Sequence, residues 1–245
     1  MVIVREMDAA LRLVTQPDHA ALAADLLALL RLPGLVEHPR RRELLRAVRL
    51  HDNGWQELDA APPVERASGR PHAFLDLPDA LRLEVWARGT RRYRDGEPYL
   101  ALLVGEHART LFARRAGDPG WRELLAELDE ARPELLARCA LDDAALRGDY
   151  GFLDLADRLS LVACNGWREP LEWESPTGER VRGELRRGER GGEEIALLPF
   201  PLAGATTFTF ACRHLPVRRF DGDADLTVAL ASARWESASL RLVSA

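Results

Sequence analysis

The chain has 245 residues, a formal net charge of −5, 47% hydrophobic and 30% charged residues. That length suffices for a sizeable core in one large domain or two smaller ones, and the balance is that of a soluble globular protein. The charge excludes bulk electrostatic capture of nucleic acid, and no apolar run reaches the length of a membrane span.

All 34 basic residues are arginine, which reads as genome composition bias. The cysteines Cys139, Cys164 and Cys212 are few, widely spaced and without a CxxC pair. That usage points to free thiols in a reducing cytoplasm and away from a zinc–thiolate site. No charged segment followed by an apolar one opens the chain, so no signal peptide is expected.

Residues 2–5 (VIVR) and 11–15 (LRLVT) read as two short strands or a hairpin. Pro17 then stands at a first helical position, and the helix should run to about Leu30. His19, Leu22, Ala23, Leu26, Leu27 and Leu30 share its inner stripe. A second helix, RRRELLRAVRL, buries Leu44, Leu45 and Val48 and ends in His51-Asp52-Asn53-Gly54. Gly54 fits the left-handed residue expected past a helix end. His51 and Asp52 continue the apolar face, and a buried ionisable pair needs a partner. That partner is either a divalent metal or a hydrogen-bond network.

An irregular stretch from Gln56 to Phe74 carries Asp59, Arg70 and His72, and stretches of this kind in compact domains are often functional. A helix from Pro78 to about Arg91 follows, then one from Pro98 to about Ala116 with Leu103, Val104, His107 and Leu111 on one face. A helix from Asp118-Pro119 should break near Pro133. A short piece over 142–147 should end at Gly148, before a last helix over 150–165. Leu153, Asp157, Ser160, Leu161 and Cys164 share that last helix's inner face.

Beyond Trp167 the apolar residues alternate. VRGEL, EIALLPF, TTFTFAC and SLRLVS read as strands, separated by SPTGE, RGGE and FDGDAD turns. Asp221, Asp223 and Asp225 lack the glycine and the final glutamate of a calcium loop and read as an acidic turn. The tail is short for an independent sandwich. It is expected to pack on the helical part, with the N-terminal strands as candidates to join it.

Four helices thus offer His19, His51-Asp52, His107 and Asp157 to one interior. Imidazole with carboxylate suits Mn, Fe, Co, Ni or Zn better than Ca. The order His19 … His51-Asp52 … Asp157 resembles the H…HD…D signature of the HD-domain metal-dependent phosphohydrolase superfamily. Asp157 lies in LADRLSL, similar to that family's final motif. The pieces TQPDHAALA, HDNGW, GRPHAF and ALLVGEHARTL resemble an uncharacterised bacterial branch, a domain of unknown function with an HD-like core. The step of 32 residues from His19 to His51 (51 − 19) is ordinary for the superfamily, whereas 105 from Asp52 to Asp157 (157 − 52) is long.

The resemblance implies a mainly α fold. An HD-like bundle over 1–167, with short N-terminal strands, would carry a smaller β-rich part over 168–245 that is not independent. It implies a mono- or dinuclear divalent transition metal on His19, His51, Asp52 and Asp157, and hydrolysis of a small-molecule phosphoester or nucleotide. Asp52 would bridge metals or orient the attacking water, and His107 would be a further ligand or a general acid. Arg70 and Arg109 are candidates for phosphate contacts. Two other readings share these residues: a non-catalytic HD-like binding or scaffold protein, and a metal-dependent oxygenase. No nucleic-acid or membrane partner is expected.

Overall fold

The computed structural model describes residues 2–175, 178–188 and 191–245. Pro176 and Thr177 of the SPTGE turn, and Arg190 of the RGGE turn, lie outside the described residues.

The N-terminal segment forms a hairpin of β1 (Ile3–Glu6) and β2 (Ala10–Val14), leading directly into α1 (Gln16–Leu29). Thr15 caps α1 by accepting the Asp18 backbone N–H. The helices α2 (Arg41–Leu50), α3 (Gln56–Ala60), α4 (Asp79–Arg91), α5 (Pro98–Phe112), α6 (Pro119–Cys139) and α7 (Asp143–Asn165) follow, with a small β3–β4 hairpin (Val64–Glu65, Arg70–Pro71) between α3 and α4. Then come β5 (Leu171–Glu174), β6 (Arg180–Arg187), β7 (Glu193–Leu198), β8 (Thr206–Pro216), α8 (Asp223–Ser232) and β9 (Trp235–Ser244).

The mainly α expectation is corrected. The chain is about 50% helical and carries one large curled mixed sheet, so the fold is α/β. The sheet has seven strands in the order β1-β2-β8-β9-β7-β6-β5. Strand β2 pairs antiparallel with β8, Leu11 opposite Leu215, which joins strands some 200 residues apart in the chain. Strand β9 sits centrally, antiparallel to β8 and parallel to β7. Local alternation reveals strands but not such distant pairings, so the β content looked like an appendage. Two helical breaks are also corrected. Pro133 sits inside an unbroken α6 on its exposed side, and Gly148 sits inside an unbroken α7. Interior Gly and Pro cost helix stability, and tertiary packing overrides that cost here.

The main core joins both layers: Leu22, Leu26 and Leu27 of α1 and Leu153 of α7 pack with Phe208, Phe210, Leu240 and Leu242 of the sheet. Two arginines of the β1–β2 hairpin fasten the sheet to the end of α7. Arg12 Nη2 donates to the carbonyls of Ala163 and Cys164 at 3.3 and 3.4 Å, and Arg5 Nη1 to Ala163 O at 3.5 Å. Cations are favoured at a helix C-terminus, where carbonyls lack intrahelical partners. Glu193 of β7 accepts from Arg5 at 2.9 Å and lies 3.7 Å from Arg12. Gly166 closes α7 in the left-handed region (φ 73°), and a Cβ there would collide with the Arg5 guanidinium. The helix bearing Asp157 is therefore anchored by the N-terminal strands.

A candidate metal centre of three imidazoles and two carboxylates

His51 ends α2. Its carbonyl-side neighbours form a 3-10 turn, Asn53–Trp55. Gly54 is not left-handed as its position suggested. A Cβ on it would lie 2.2 Å from Val85 O and 3.0 Å from the Gly89 Cα, so glycine is needed to let this corner press against α4. Helix α4 holds the corner from outside. The Asn53 amide donates to Leu50 O (3.0 Å) and Gly89 O (3.2 Å), Arg88 to Gly54 O (2.7 Å), and Arg92 to Asn53 O (2.7 Å). Asn53 thereby closes the open end of α2 and binds it to α4.

Around this corner the structure brings together His19 from α1, His51 and Asp52, His107 from α5 and Asp157 from α7. All are buried, with 0, 1, 8, 2 and 6% exposure respectively. The rings of His19 and His51, and of His51 and His107, stand edge-on with centroids 5.1 Å apart. Trp86 of α4 covers His107, with ring centroids 5.5 Å apart.

Each imidazole is oriented through Nδ1. His51 Nδ1–H donates to Val48 O at 2.7 Å. Ser160 donates its hydroxyl to Asp157 O at 2.7 Å, so its oxygen can only accept from His19 Nδ1–H, at 2.8 Å. His107 Nδ1 faces the Tyr150 hydroxyl at 3.3 Å. All three Nε2 atoms consequently point at the carboxylates. His19 Nε2 is 2.8 Å from Asp52 Oδ2 and 3.8 Å from Asp157 Oδ1. His51 Nε2 is 3.3 Å from Asp157 Oδ1 and 3.5 Å from Asp52 Oδ2, and His107 Nε2 is 3.9 Å from Asp157 Oδ2. His51 Nε2 is buried and aligned for no hydrogen bond.

The electrostatics follow from this crowding. Burial works against a charge on His51, but Asp52 and Asp157 outweigh it and push its pKa up to about 9. Burial likewise opposes ionisation of Asp52 and Asp157, and the facing histidines outweigh it, holding both below the usual carboxylate range. Burial dominates at His107 and, against Asp157, pushes it down to about 4.

Two overlapping groups could hold a metal ion: His19, His51 and Asp157, and His51, Asp52 and His107, with ligand atoms within 4.8 Å of one another. The donor set fits. Ligands at about 2.1 Å from one ion sit about 3.0 Å apart in an octahedron and about 3.4 Å apart in a tetrahedron, close to the 2.8, 3.3 and 3.5 Å separations found here. All donors are N or O, and no cysteine takes part. Imidazoles held through Nδ1 by oxygen partners are the usual preparation of histidine ligands.

The two predicted phosphate-binding arginines are tied elsewhere. Arg70 pairs with Glu6, and Arg109 with Asp129 (2.7 Å) and Glu106 (3.0 Å). His72 lines a cleft of about 1000 Å³ with Arg66, Phe220 and Asp223, not the His/Asp cluster. The acidic 221–225 turn is the start of α8: Asp225 pairs with Arg218 at 2.6 Å, and Asp223 accepts the Val64 N–H at 2.8 Å. His38, which reads from the sequence as a surface residue, is half-buried against Asp149. Tyr150, Trp86 and the orienting role of Ser160 were not read from the sequence. Only Ser160's position on the inner face of α7 was visible there.

A family described as "Protein of unknown function (DUF3891)" matches residues 2–217. The chain belongs to that family. No curated protein and no solved structure matches it. The family match takes in all five cluster residues and stops after β8, so α8 and the central strand β9 lie beyond it. No helix among the described residues is long and apolar enough to cross a membrane.

Proposed function

We propose that this DUF3891 protein is a metal-dependent hydrolase of a phosphate ester or nucleotide, with an HD-like ligand set. The observation that carries the reading is the convergence of three Nε2 atoms on two carboxylates, with the buried His51 Nε2 left without a hydrogen bond. A buried polar atom without an aligned hydrogen bond is costly, and a divalent transition metal (Mn, Fe, Co, Ni or Zn) is the partner that suits this donor set. His19, His51, Asp52 and Asp157 are the proposed ligands. A bound metal supplies a water of lowered pKa and polarises a phosphoryl oxygen.

The chain's own part is to orient and to exclude water. Asp52 reaches toward both His19 and His51, which suits it to bridge two ions or to hold the attacking water. Burial keeps His107 neutral near pH 7, which favours a further ligand over a general acid. The scaffold alternative predicts a self-satisfied network; His51 Nε2, near Asp157 and Asp52 at 3.3 and 3.5 Å but without an aligned hydrogen bond, falls short of that. The oxygenase alternative shares every ligand and is separated by chemistry alone.

The test is a manganese titration of metal-stripped protein followed by a screen of phosphoesters and nucleotides. Uptake with phosphate release is expected, and His51→Ala should abolish both. Absence of metal uptake by the unaltered protein sinks the reading. Uptake of iron with oxygen consumption and no phosphate release would favour the oxygenase.

A further inference from the structure

Helix α7 carries Asp157 at the border between a buried and a half-exposed side. With about 100° per residue, Leu153, Ser160 and Cys164 lie about 40°, 60° and 20° to one side of Asp157, and all three are buried. To the other side, Tyr150, Leu161, Asp154 and Arg158 lie at about 20°, 40°, 60° and 100°, and all four are half-buried. On this helix the half-exposed stripe is the one that adjoins Asp157 on the side away from Leu153 and Ser160. Tyr150 already touches the cluster through His107.

That stripe holds one cation next to a proposed ligand. The Arg158 side chain is 40% exposed, and its ion pair is with Asp154, one turn back, at 3.7 Å. Other arginines near the corner are engaged more closely. Arg88 and Arg92 clamp the Asn53–Gly54 carbonyls, Arg12 caps α7, and Arg109 grips Asp129. A guanidinium on the residue that follows a proposed ligand, exposed and weakly paired, can turn its planar fork to two phosphoryl oxygens.

We propose that Arg158 is the phosphate-binding residue of the site, and that Asp154 holds it at the rim until an oxyanion takes it over. The assignment rests on the metal-dependent reading above and replaces Arg70 and Arg109 as the phosphate contact. Asp154 is partly withdrawn from water, and burial raises its pKa against the pull of Arg158. Its ion pair with the arginine is long, 3.7 Å, and partly exposed, so a doubly charged phosphate can displace it.

The experiment titrates manganese-loaded protein with inorganic phosphate, following calorimetry and the relaxation of the phosphorus signal by the bound manganese. Manganese affinity is measured alongside. Arg158→Gln should weaken phosphate binding at least about tenfold while manganese affinity stays within about twofold. Arg158→Lys should fall between the two, since it keeps the charge without the fork. Asp154→Asn should bind phosphate at least as well as the unaltered protein, and Arg109→Gln should match it. Unaltered phosphate affinity in Arg158→Gln overturns the assignment, as does an equal loss in Arg109→Gln. Manganese uptake without phosphate binding by the unaltered protein overturns it too. Failure to take up manganese at all would instead remove the metal-dependent reading and this assignment with it.

Discussion

Helix α7 carries two buried aspartates about two turns apart, and their surroundings differ in one respect. Asp149 belongs to a closed network. Its Oδ1 accepts His38 Nε2–H at 2.7 Å, its Oδ2 accepts the Tyr99 hydroxyl at 2.7 Å, and His38 Nδ1 accepts the Arg40 N–H at 3.2 Å. Every donor there meets an acceptor. Around Asp157 the imidazoles spend their Nδ1 atoms on outside partners; His19 Nε2 meets Asp52 at 2.8 Å, while His51 Nε2, 3.3 Å from Asp157, has no aligned hydrogen bond. Burial is thus no guide to role. What separates the His51 corner from the Asp149 network is one buried ring nitrogen, His51 Nε2, with no aligned hydrogen bond.

The sharpest way to break that comparison is to remove each aspartate in turn. Asp157→Ala should abolish manganese uptake, read by elemental analysis after gel filtration. Asp149→Ala should keep the metal and lose about 3 kcal/mol of stability in urea, because His38 and Tyr99 lose a shared buried acceptor. Equal destabilisation with metal content unchanged in both would show that the two networks are of one kind.

The acidity of two of the three cluster histidines gives a second, smaller test on metal-stripped protein. His51 has its pKa raised from 6.5 to about 9, so its contribution to stability is complete below pH 6.5 and is lost as pH rises through about 9. His107 has its pKa lowered from 6.5 to about 4, so protonating it opposes folding, and stability falls as pH drops from 6.5 toward 4. Stability should therefore peak near pH 6.5, with each limb on the order of 3 kcal/mol. His51→Gln should remove the alkaline limb and spare the acid one, whereas His38→Gln should leave the alkaline limb in place. Bound metal must displace the His51 proton, so manganese affinity should rise with pH up to about 9.

How much of this was visible in the sequence follows from where each residue lies. His19, His107 and Asp157 sit inside long helices, on stripes of leucine and alanine. The 3.6-residue period alone therefore shows that they face inward. His51-Asp52 continues such a stripe past the end of α2. His38 stands in the loop between α1 and α2, where no period exists to say which way it points. Its partner Asp149 is 111 residues away and adjoins Gly148, which looks like a helix stop. The extent of the sheet is hidden for the same reason. The strands announce themselves by alternation, but Leu11 opposite Leu215 is a tertiary fact. Gly54 shows a subtler limit, since the letter was informative and its reason was not. A left-handed turn and a close helix crossing both demand glycine, and only the position of Val85 O distinguishes them.

The smallest expected effect concerns how a histidine is made ready. Ser160 is committed as a donor to Asp157 O, so it can only accept from His19 and fixes the proton on Nδ1. Ser160→Ala removes that instruction without touching a proposed ligand. Manganese affinity should fall about tenfold, the range found when partners behind metal-bound histidines are removed. Stability of the metal-free protein should drop by only about 1 kcal/mol. Ser160→Thr keeps the hydroxyl and should restore the affinity. Nitrogen-15 shifts of the His19 ring separate orientation from packing. A changed Nδ1 shift in Ser160→Ala, with the Nε2 shift toward Asp52 kept, is the orienting outcome. An unchanged ring with unchanged affinity would reduce Ser160 to a small residue filling the seam between α1 and α7.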